Sequence, residues 1–455
     1  MKFVSLFSTF LLLFSGCAKY TPAPKHEIVL PENFSLQGRG ELQQEWWKTF
    51  NDPSLNELMQ TALLDNLSLK ASWQRLQQSM ALVKKSSVAL YPDLSFSNTV
   101  SALENIHTKS YTTGVAASYE LDLWGRFDAL RDASMFELQA SKENLIAAYI
   151  SLSAEVATAW YRLQEQHLHA KLLQNQIALN EKHLELIERK FRSAQAKASD
   201  VLQQKQTLES VRSETILTKG RIELFKNQLA LLLGKNRSMI DFKVAANFPN
   251  ELFIPTLDVP TELLMHRPDV KASYYKLQAM DRKVADTVAK QYPKLSLSIT
   301  LNNMSRSSSD IFSNWLLNLA SNVTMPLFDA GLRKAEVERS SAQRNEHLYL
   351  YAQTLLSAYK EVEDALSRVV HQKEYLVSIN EQVKLSASSL KQIKDQYIHA
   401  NATYLSFLNA QLAHERLQRT QISASRELME YTISLYRSIS TGWKIEKLQR
   451  DKNGK

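Results

Sequence analysis

One side chain in this sequence is placed for covalent chemistry. Cys17 is the only cysteine, so no intrachain disulfide can form. It follows a basic start at Lys2, an apolar run from Phe3 to Phe14 and the small pair Ser15-Gly16. That layout is a secretory signal, too short to span a membrane. The ending "FSGC" has the form of a lipobox, in which a peptidase cuts before a cysteine that then carries acyl chains. Phe14 stands where Leu is usual, and an ordinary signal with a bystander cysteine is the other reading. Several acyl chains would anchor the chain stably. Ala18 comes next, not the Asp expected of a lipoprotein kept at the inner membrane. Other reactive constellations are missing: no Ser-His-Asp motif, no Gly-rich phosphate loop and no HExxH. His167 and His169 are two apart, so on a helix they face different ways and make poor joint ligands. The ten Met residues are scattered without a close pair, as gap-filling side chains would be. The expectation is a protein without catalytic residues, metal or cofactor. Its net charge of +8 comes from bases interspersed with acids, as in "NEKHLELIERK" (180–190). That is a solvated helix face, and no nucleic-acid partner is expected.

What such a chain must position becomes clear from its internal repeat. "YPDLSFS" (91–97) returns as "YPKLSLS" (292–298), shifted by 201 positions. At the same offset Lys70-Ala71-Ser72 falls on Lys271-Ala272-Ser273, and Leu76-Gln77 on Leu277-Gln278. Repeats are settled before any other fold assignment. Gly and Pro are absent from Arg126 to Lys219 and again from Leu332 to Thr441, so helix breakers are excluded from one long block in each half. The division this predicts is a signal at 1–16, a lipidated N-terminal segment at 17–62, repeat 1 at 63–234, a linker at 235–262, repeat 2 at 263–442 and a tail at 443–455.

After each Tyr-Pro phrase the hydrophobic period changes to two. Leu94, Phe96 and Val100 alternate with Ser95, Ser97 and Thr99. Tyr111, Thr113, Val115, Ala117, Tyr119, Leu121 and Leu123 then share one face. In repeat 2, Leu295, Leu297, Ile299 and Leu301 share a face, followed by Trp315, Leu317, Leu319, Val323, Met325 and Leu327. Strands are therefore expected at about 93–102, 110–123, 294–302 and 314–327. Such segments suit an outer-membrane β-barrel, although a half-buried soluble sheet alternates in the same way. Nothing else in the chain reads as a sheet. Four strands cannot close a barrel, because open edges in lipid leave backbone groups unpaired. Two copies would give eight strands and three would give twelve. The polar connections at 104–110 and 302–310 would be exterior loops, and Gly125, Pro326 and Gly331 would let the chain swivel from strand to helix.

From Arg126 to about Ser193 the pattern is helical, a span of about 100 Å at ~1.5 Å per residue. The stripe Leu173, Ile177, Asn180, Leu184, Ile187, Phe191 has a counterpart in Ile379, Val383, Ser386, Leu390, Ile393, Tyr397, shifted by 206. A period of 3.5 predicts left-handed supercoiling. Helical hairpins are expected at 126–233 and 332–437, with return helices from Val201 and Leu405 and C-caps at Gly234 and Gly442. Leading helices are expected at 63–89 and 268–289. The fold class predicted is mainly α with a membrane β-barrel, each repeat supplying a β-hairpin and a long coiled-coil helical hairpin.

With these elements in place, the sequence resembles the TolC-type outer-membrane factors, in particular the lipidated OprM/NodT-like branch. The resemblance covers nearly the whole chain after the signal. It is carried by "WWKTFNDPSLNELMQTAL" (46–63), "ELDLWGR" (120–126), "NQLALLLG" (227–234), "LLMHRPDVKAS" (263–273), "MPLFDAGLRKAE" (325–336) and "TGW" (441–443). It implies a homotrimer with a twelve-stranded barrel and a periplasmic α-barrel. Such a trimer docks through a periplasmic adaptor onto an inner-membrane pump and conducts small molecules to the exterior. Protein secretion through a type I duct, or a non-conducting lipid-anchored coiled-coil scaffold, are the alternatives. In the "RPD" of 267–269, Pro268 suits a first-turn helix position. The linker and chain ends would form an equatorial belt. The hairpin turns would be the periplasmic end, with Ala194, Gln195, Ala196 and Lys197 in one repeat and Ala400, Asn401, Ala402 and Thr403 in the other as adaptor-facing candidates. Ala194 and Ala400 stand where the family usually has Gly. Asp200 and Asn409 are the aperture candidates, three carboxylates in a trimer repelling one another or gathering cations. Asp200 as a helix cap is the competing role.

Overall fold

The structure, a computed structural model, describes residues 31–35, 45–103, 108–249, 260–310, 312–399 and 401–439. Cys17, Ala400, Gly442, the signal, the tail and residues 250–259 of the linker lie outside the described residues. The elements run α1 (Pro53–Asp65), α2 (Leu67–Val88), β1 (Asp93–Leu103), β2 (Thr108–Leu121), α3 (Arg126–Arg192), α4 (Ala198–Leu232), α5 (Pro260–His266), α6 (Pro268–Ala289), β3 (Lys294–Ser305), β4 (Leu316–Thr324), α7 (Leu332–Ile398) and α8 (Tyr404–Ile439). Each repeat thus supplies one β-hairpin and one long helical hairpin in a mainly helical chain. The chain forms two compact units. One contains Gln74–Asn144 and Asp269–Thr354, the other Val29–Trp73, Leu145–Pro268 and Leu355–Lys455.

In the first unit the four strands make one antiparallel sheet in the order β1-β2-β3-β4. The repeats meet at its centre, where Tyr111 pairs with Ser305 and Leu121 with Leu295. Leu94, Phe96 and Val100 of β1 share a face with Val115 of β2, Leu297, Ile299 and Leu301 of β3, and Leu317, Leu319 and Val323 of β4. All of these side chains are exposed. β1 and β4 are the sheet's edges. Two strands end earlier than their alternation suggests. β2 stops at Leu121 because Asp122 turns to cap α3, its Oδ2 accepting from the Asp128 N–H at 2.9 Å. β4 stops at Thr324, just ahead of Pro326, which has no N–H for the ladder. Leu123, Met325 and Leu327 therefore lie outside the strands, and Trp315 falls one residue before β4 begins. Gly125 and Gly331 have φ of +68° and +87°, the left-handed turns that lead into α3 and α7. Below the central strands Trp124 stacks on Tyr292 with centroids 4.7 Å apart. Its indole N–H donates to the Pro293 carbonyl at 2.7 Å. The Tyr-Pro phrase of repeat 2 is thereby locked to the "DLWGR" of repeat 1.

The second unit is organised around aromatic residues from the first helical motif. Trp46 is fully buried, stacked on Tyr436 at 5.5 Å and edge-on to Phe50 at 5.7 Å. Asp52 is also buried; Oδ1 caps α1 by accepting from the Leu55 N–H at 3.1 Å, and Oδ2 accepts from the Trp160 indole N–H at 2.7 Å. The helix expected from Leu63 to Ala89 is instead two helices broken at Asn66. Asn66 leaves helical geometry with ψ of 126°. Its Oδ1 accepts from the Leu69 N–H at 2.9 Å, capping α2, and its Nδ2 donates to the Leu232 carbonyl at 2.8 Å. That carbonyl ends α4, where Gly234 has φ of +64°. The Lys235 N–H reaches the Ala230 carbonyl at 3.0 Å, a Schellman cap. A Cβ on Gly234 would sit 2.5 Å from the Asp65 carbonyl oxygen, so close approach and backbone conformation both require glycine. Pro268 is the first residue of α6. Beside it, buried Arg267 donates to the Ser438 carbonyl at 2.8 Å and to Glu361 at 2.8 Å, satisfying the C-terminal end of α8.

Candidate functional site

The two helical hairpin turns carry most of the residues singled out by sequence, and both belong to the second unit. α3 ends in a Schellman motif: the Gln195 N–H reaches the Lys190 carbonyl at 2.8 Å and the Ala194 N–H that of Phe191 at 3.0 Å. This motif needs its residue after the cap in the left-handed region, and Ala194 has φ of +58°. Alanine is strained there, where glycine would not be. The turn of repeat 2 keeps the same longer bond, from the Asn401 N–H to the Gln396 carbonyl at 2.8 Å. Gln195, Lys197, Asn401 and Thr403 are exposed, whereas Ala196 and Ala402 are half-buried. Ala196 packs against Ile187, Tyr404, Phe407 and Leu408.

The return helices start with the two complementary halves of a capping box. In repeat 2, Thr403 precedes α8 and its hydroxyl oxygen accepts from the Ser406 N–H at 3.1 Å. In repeat 1 that position is Lys197, which has no acceptor. The missing bond is supplied from the other direction, Asp200 Oδ2 accepting from the Lys197 N–H at 3.1 Å. Asp200 is therefore third in α4, and the third residue of α8 is Ser406. The pairing of Asp200 with Asn409 suggested by the sequence does not hold. Asn409 lies one turn further along α8 and is exposed, and its counterpart is Gln203.

Behind the turns the four hairpin helices enclose a polar network that the apolar stripe did not reveal. Along α3 from Leu173 to Arg192 the buried residues are Leu173, Gln176, Asn180, His183 and Ile187, so the heptad holds but the seam runs through Gln176 and His183. Ile177 and Leu184 flank it, half-buried. Asn180 is wholly buried and its Oδ1 accepts from Gln204 Nε2 at 2.9 Å and Gln411 Nε2 at 3.0 Å. Gln411 Nε2 also donates to Glu415 Oε1 at 2.8 Å, and Gln411 Oε1 accepts from His183 Nδ1 at 2.8 Å. The Tyr404 hydroxyl closes the network on Gln204 Oε1 at 2.5 Å. Burial holds His183 below the usual imidazole range, against the bond it donates to Gln411, and pushes the Tyr404 phenol up, with Tyr397 and Asp200 adding to it. Nearer the turn Tyr397 stacks on Phe407 at 5.6 Å, with the Lys190 ammonium 4.0 Å above the Tyr397 ring. Buried Asn in a coiled coil fixes register at some cost in stability. The signal for these residues was present, since Tyr404, Leu408, Gln411 and Glu415 advance by four, three and four.

A second charged cluster ties α3 to α8. Arg426 lies 3.4 Å from Glu165 and 2.6 Å from Glu430, and Glu430 also accepts from Arg162 at 2.5 Å. Burial pushes the Glu165 carboxyl up, but the His169 contact and the Arg426 guanidinium outweigh it and hold it at about 2. His167 and His169 do not act together: His169 meets Ser423 and Glu165. Among the described residues no group of acids, histidines and cysteine is arranged to hold a metal ion.

A family model described as Outer membrane efflux protein matches residues 58–235 and 259–441. The chain belongs to the outer membrane efflux protein family. Its members are channel proteins of the outer membrane, and this efflux protein is a conduit rather than an enzyme. It is 28% identical over 480 residues to the pyoverdine export outer membrane protein OpmQ of Pseudomonas aeruginosa, covering 98% of each chain. It is 23% identical over 461 residues to the probable outer membrane lipoprotein SilC of Salmonella typhimurium, covering 97% of this chain and 99% of SilC. The solved outer-membrane channel OprN shares its fold with a TM-score of 0.84 at 23% identity, over 93% of this chain and 99% of that one.

Proposed function

We propose that this efflux protein is the exit duct of a tripartite system, a homotrimer whose three four-stranded sheets close a twelve-stranded barrel. Small molecules pass through it from an inner-membrane pump and periplasmic adaptor to the exterior. The observation that carries this reading is the sheet itself, exposed on its apolar face and open along both β1 and β4. In lipid such edges must be paired by other copies. Acylated Cys17 anchors the chain, in keeping with its likeness to SilC, a probable outer membrane lipoprotein. The linker at 235–262 and the chain ends form the belt. The turn residues Ala194 to Lys197 and Ala400 to Thr403 meet the adaptor. Asp200, besides capping α4, presents a ring of three carboxylates near the aperture, with Asn409 in the same region. The likeness to OpmQ, a pyoverdine export protein, favours small-molecule efflux over protein secretion.

Purified protein in planar bilayers, with its mass measured in detergent, tests the reading. A trimer that conducts single-channel currents is expected, with conductance raised in Asp200→Ala. A conducting trimer indifferent to that substitution leaves Asp200 as a cap only. A folded monomer or dimer that never conducts overturns the duct and leaves a lipid-anchored scaffold.

A further inference from the structure

Beside the Arg426 cluster the second unit encloses a polar cavity of about 280 Å³ between α3, α4 and α8. Glu165, Gln166, His169 and Leu173 line it from α3, a run of two turns that covers about 12 Å. Its two ends differ in charge. At the Glu165 end three carboxylates share two guanidiniums: Arg426 meets Glu165, Glu427 and Glu430, and Arg162 meets Glu430. Gln166 donates its amide N–H to Glu165 at 3.2 Å, while its buried Oε1 has no hydrogen-bond partner among the described residues. A buried acceptor left unpaired costs about 1–3 kcal/mol, so this end of the cavity lacks a donor.

At the Leu173 end the balance reverses. Arg419 donates to the Gln176 amide oxygen at 2.9 Å, and among the described residues no carboxylate pairs with it. α4 runs antiparallel to α3, with Arg212 reaching Glu181. Arg221, turned along α4 to Glu214 at 3.0 Å, therefore points to this same end. Glu214 offsets the charge of Arg221, and that of Arg419 is left over.

We propose that this cavity binds a small elongated zwitterion, its ammonium group at Gln166 and its carboxylate at Arg419. A plain anion would meet the acid-rich end and a plain cation the guanidiniums; a ligand carrying both charges matches both ends. Water could satisfy Gln166 but brings no charge to either end. The distance between the ends favours charges several bonds apart over those of an α-amino acid. None of the hairpin-turn residues takes part, and the site goes beyond the proposed duct without resting on it.

Titration calorimetry on the full-length protein in detergent tests this with 6-aminohexanoate as the probe. N-acetyl-6-aminohexanoate has lost the positive charge and 6-aminohexanamide the negative one, at nearly the same length. Each is expected to bind at least about tenfold more weakly than the probe, because a site built for a polar group rejects the analogue lacking it. Arg419→Met should erase the preference for the acid over the amide and keep that for the free amine. Gln166→Leu should do the reverse. The comparison of the three compounds on the unsubstituted protein stands even where a variant fails to fold. Absence of probe binding at millimolar concentration overturns the site. Equal binding of all three compounds, or preferences that neither substitution moves in folded protein, also overturns it, since the binding then lies elsewhere.

Discussion

Replacing Ala194 with glycine should strengthen the first hairpin turn. Ala194 has φ of +58°, where a residue with a Cβ is disfavoured by about 1–2 kcal/mol. Glycine removes that penalty but gains freedom when the turn opens, a counter-effect of about 0.4–1 kcal/mol. The difference leaves about 1 kcal/mol in favour of Ala194→Gly, or about a fivefold shift in the opening equilibrium. The turn offers its own reporters, because the Gln195 and Ala194 N–H groups are bonded to the Lys190 and Phe191 carbonyls. Hydrogen exchange resolved to peptides spanning 190–200 should show the Gln195 amide exchanging about fivefold more slowly in the variant. Ala196→Gly, at a half-buried neighbour packed on Ile187 and Tyr404, should move the same amide the other way. Exchange at Gln195 that is unchanged or faster in Ala194→Gly would refute the strain argument, whatever happens to conductance.

Gly234→Ala should cost about 2–4 kcal/mol, since it combines a left-handed backbone with a Cβ meeting the Asp65 carbonyl at 2.5 Å; denaturant unfolding followed by helical circular dichroism measures it. Asp52→Ala removes the α1 cap and orphans the buried Trp160 indole, for about 2–4 kcal/mol. Asp52→Asn, which keeps one acceptor, should lose less, with Trp160 fluorescence as the local readout. The Glu165 carboxylate is depressed to about 2 in the folded protein, so its contribution is fully present above its ordinary range near 4.5 and lost as pH falls toward 2. That contribution is about 3 kcal/mol. Unfolding measured across that window should be less pH-dependent in Glu165→Gln, and equal slopes in the two proteins would refute the assignment.

Period-two alternation found all four strands, because a sheet exposed on its apolar face leaves its pattern uninterrupted by packing. Their ends were less legible. Asp122 continues the alternation by residue type but is taken by the α3 cap, and Met325 continues it although Pro326 has already removed the ladder. Among the helices, the absence of Gly and Pro marked α3 and α7 clearly. The break at Asn66 was hidden because an isolated Asn is tolerated inside helices, and only its bond to the distant Leu232 carbonyl makes the kink worthwhile. The seam of the coiled coil lies one position away from the apolar stripe at Gln176 and His183. Hydrophobicity favoured Ile177 and Leu184, while the network around Asn180 gives the polar residues partners that no local pattern announces. Asp200 reads from sequence as a capping candidate and does cap α4, but residue type matches it to Asn409 where the helix starts identify Ser406.

Helices α3 and α7 have 67 residues each, and each is followed by a five-residue turn. Between the start of one hairpin and the end of the next the repeats nevertheless differ in length, and the surplus falls in the connection between β3 and β4. Length is thus free in one kind of segment and fixed in another. A residue inserted into a long helix would rotate everything after it by about 100° and present the wrong face to every later partner, while one added to a polar strand connection rotates nothing. The two halves have diverged in almost every side chain yet keep the same ruler. Insertions, tags and epitopes therefore belong in the strand connections, and an insertion in α3 cannot be repaired by local adjustment but needs a matching change of phase further along the helix.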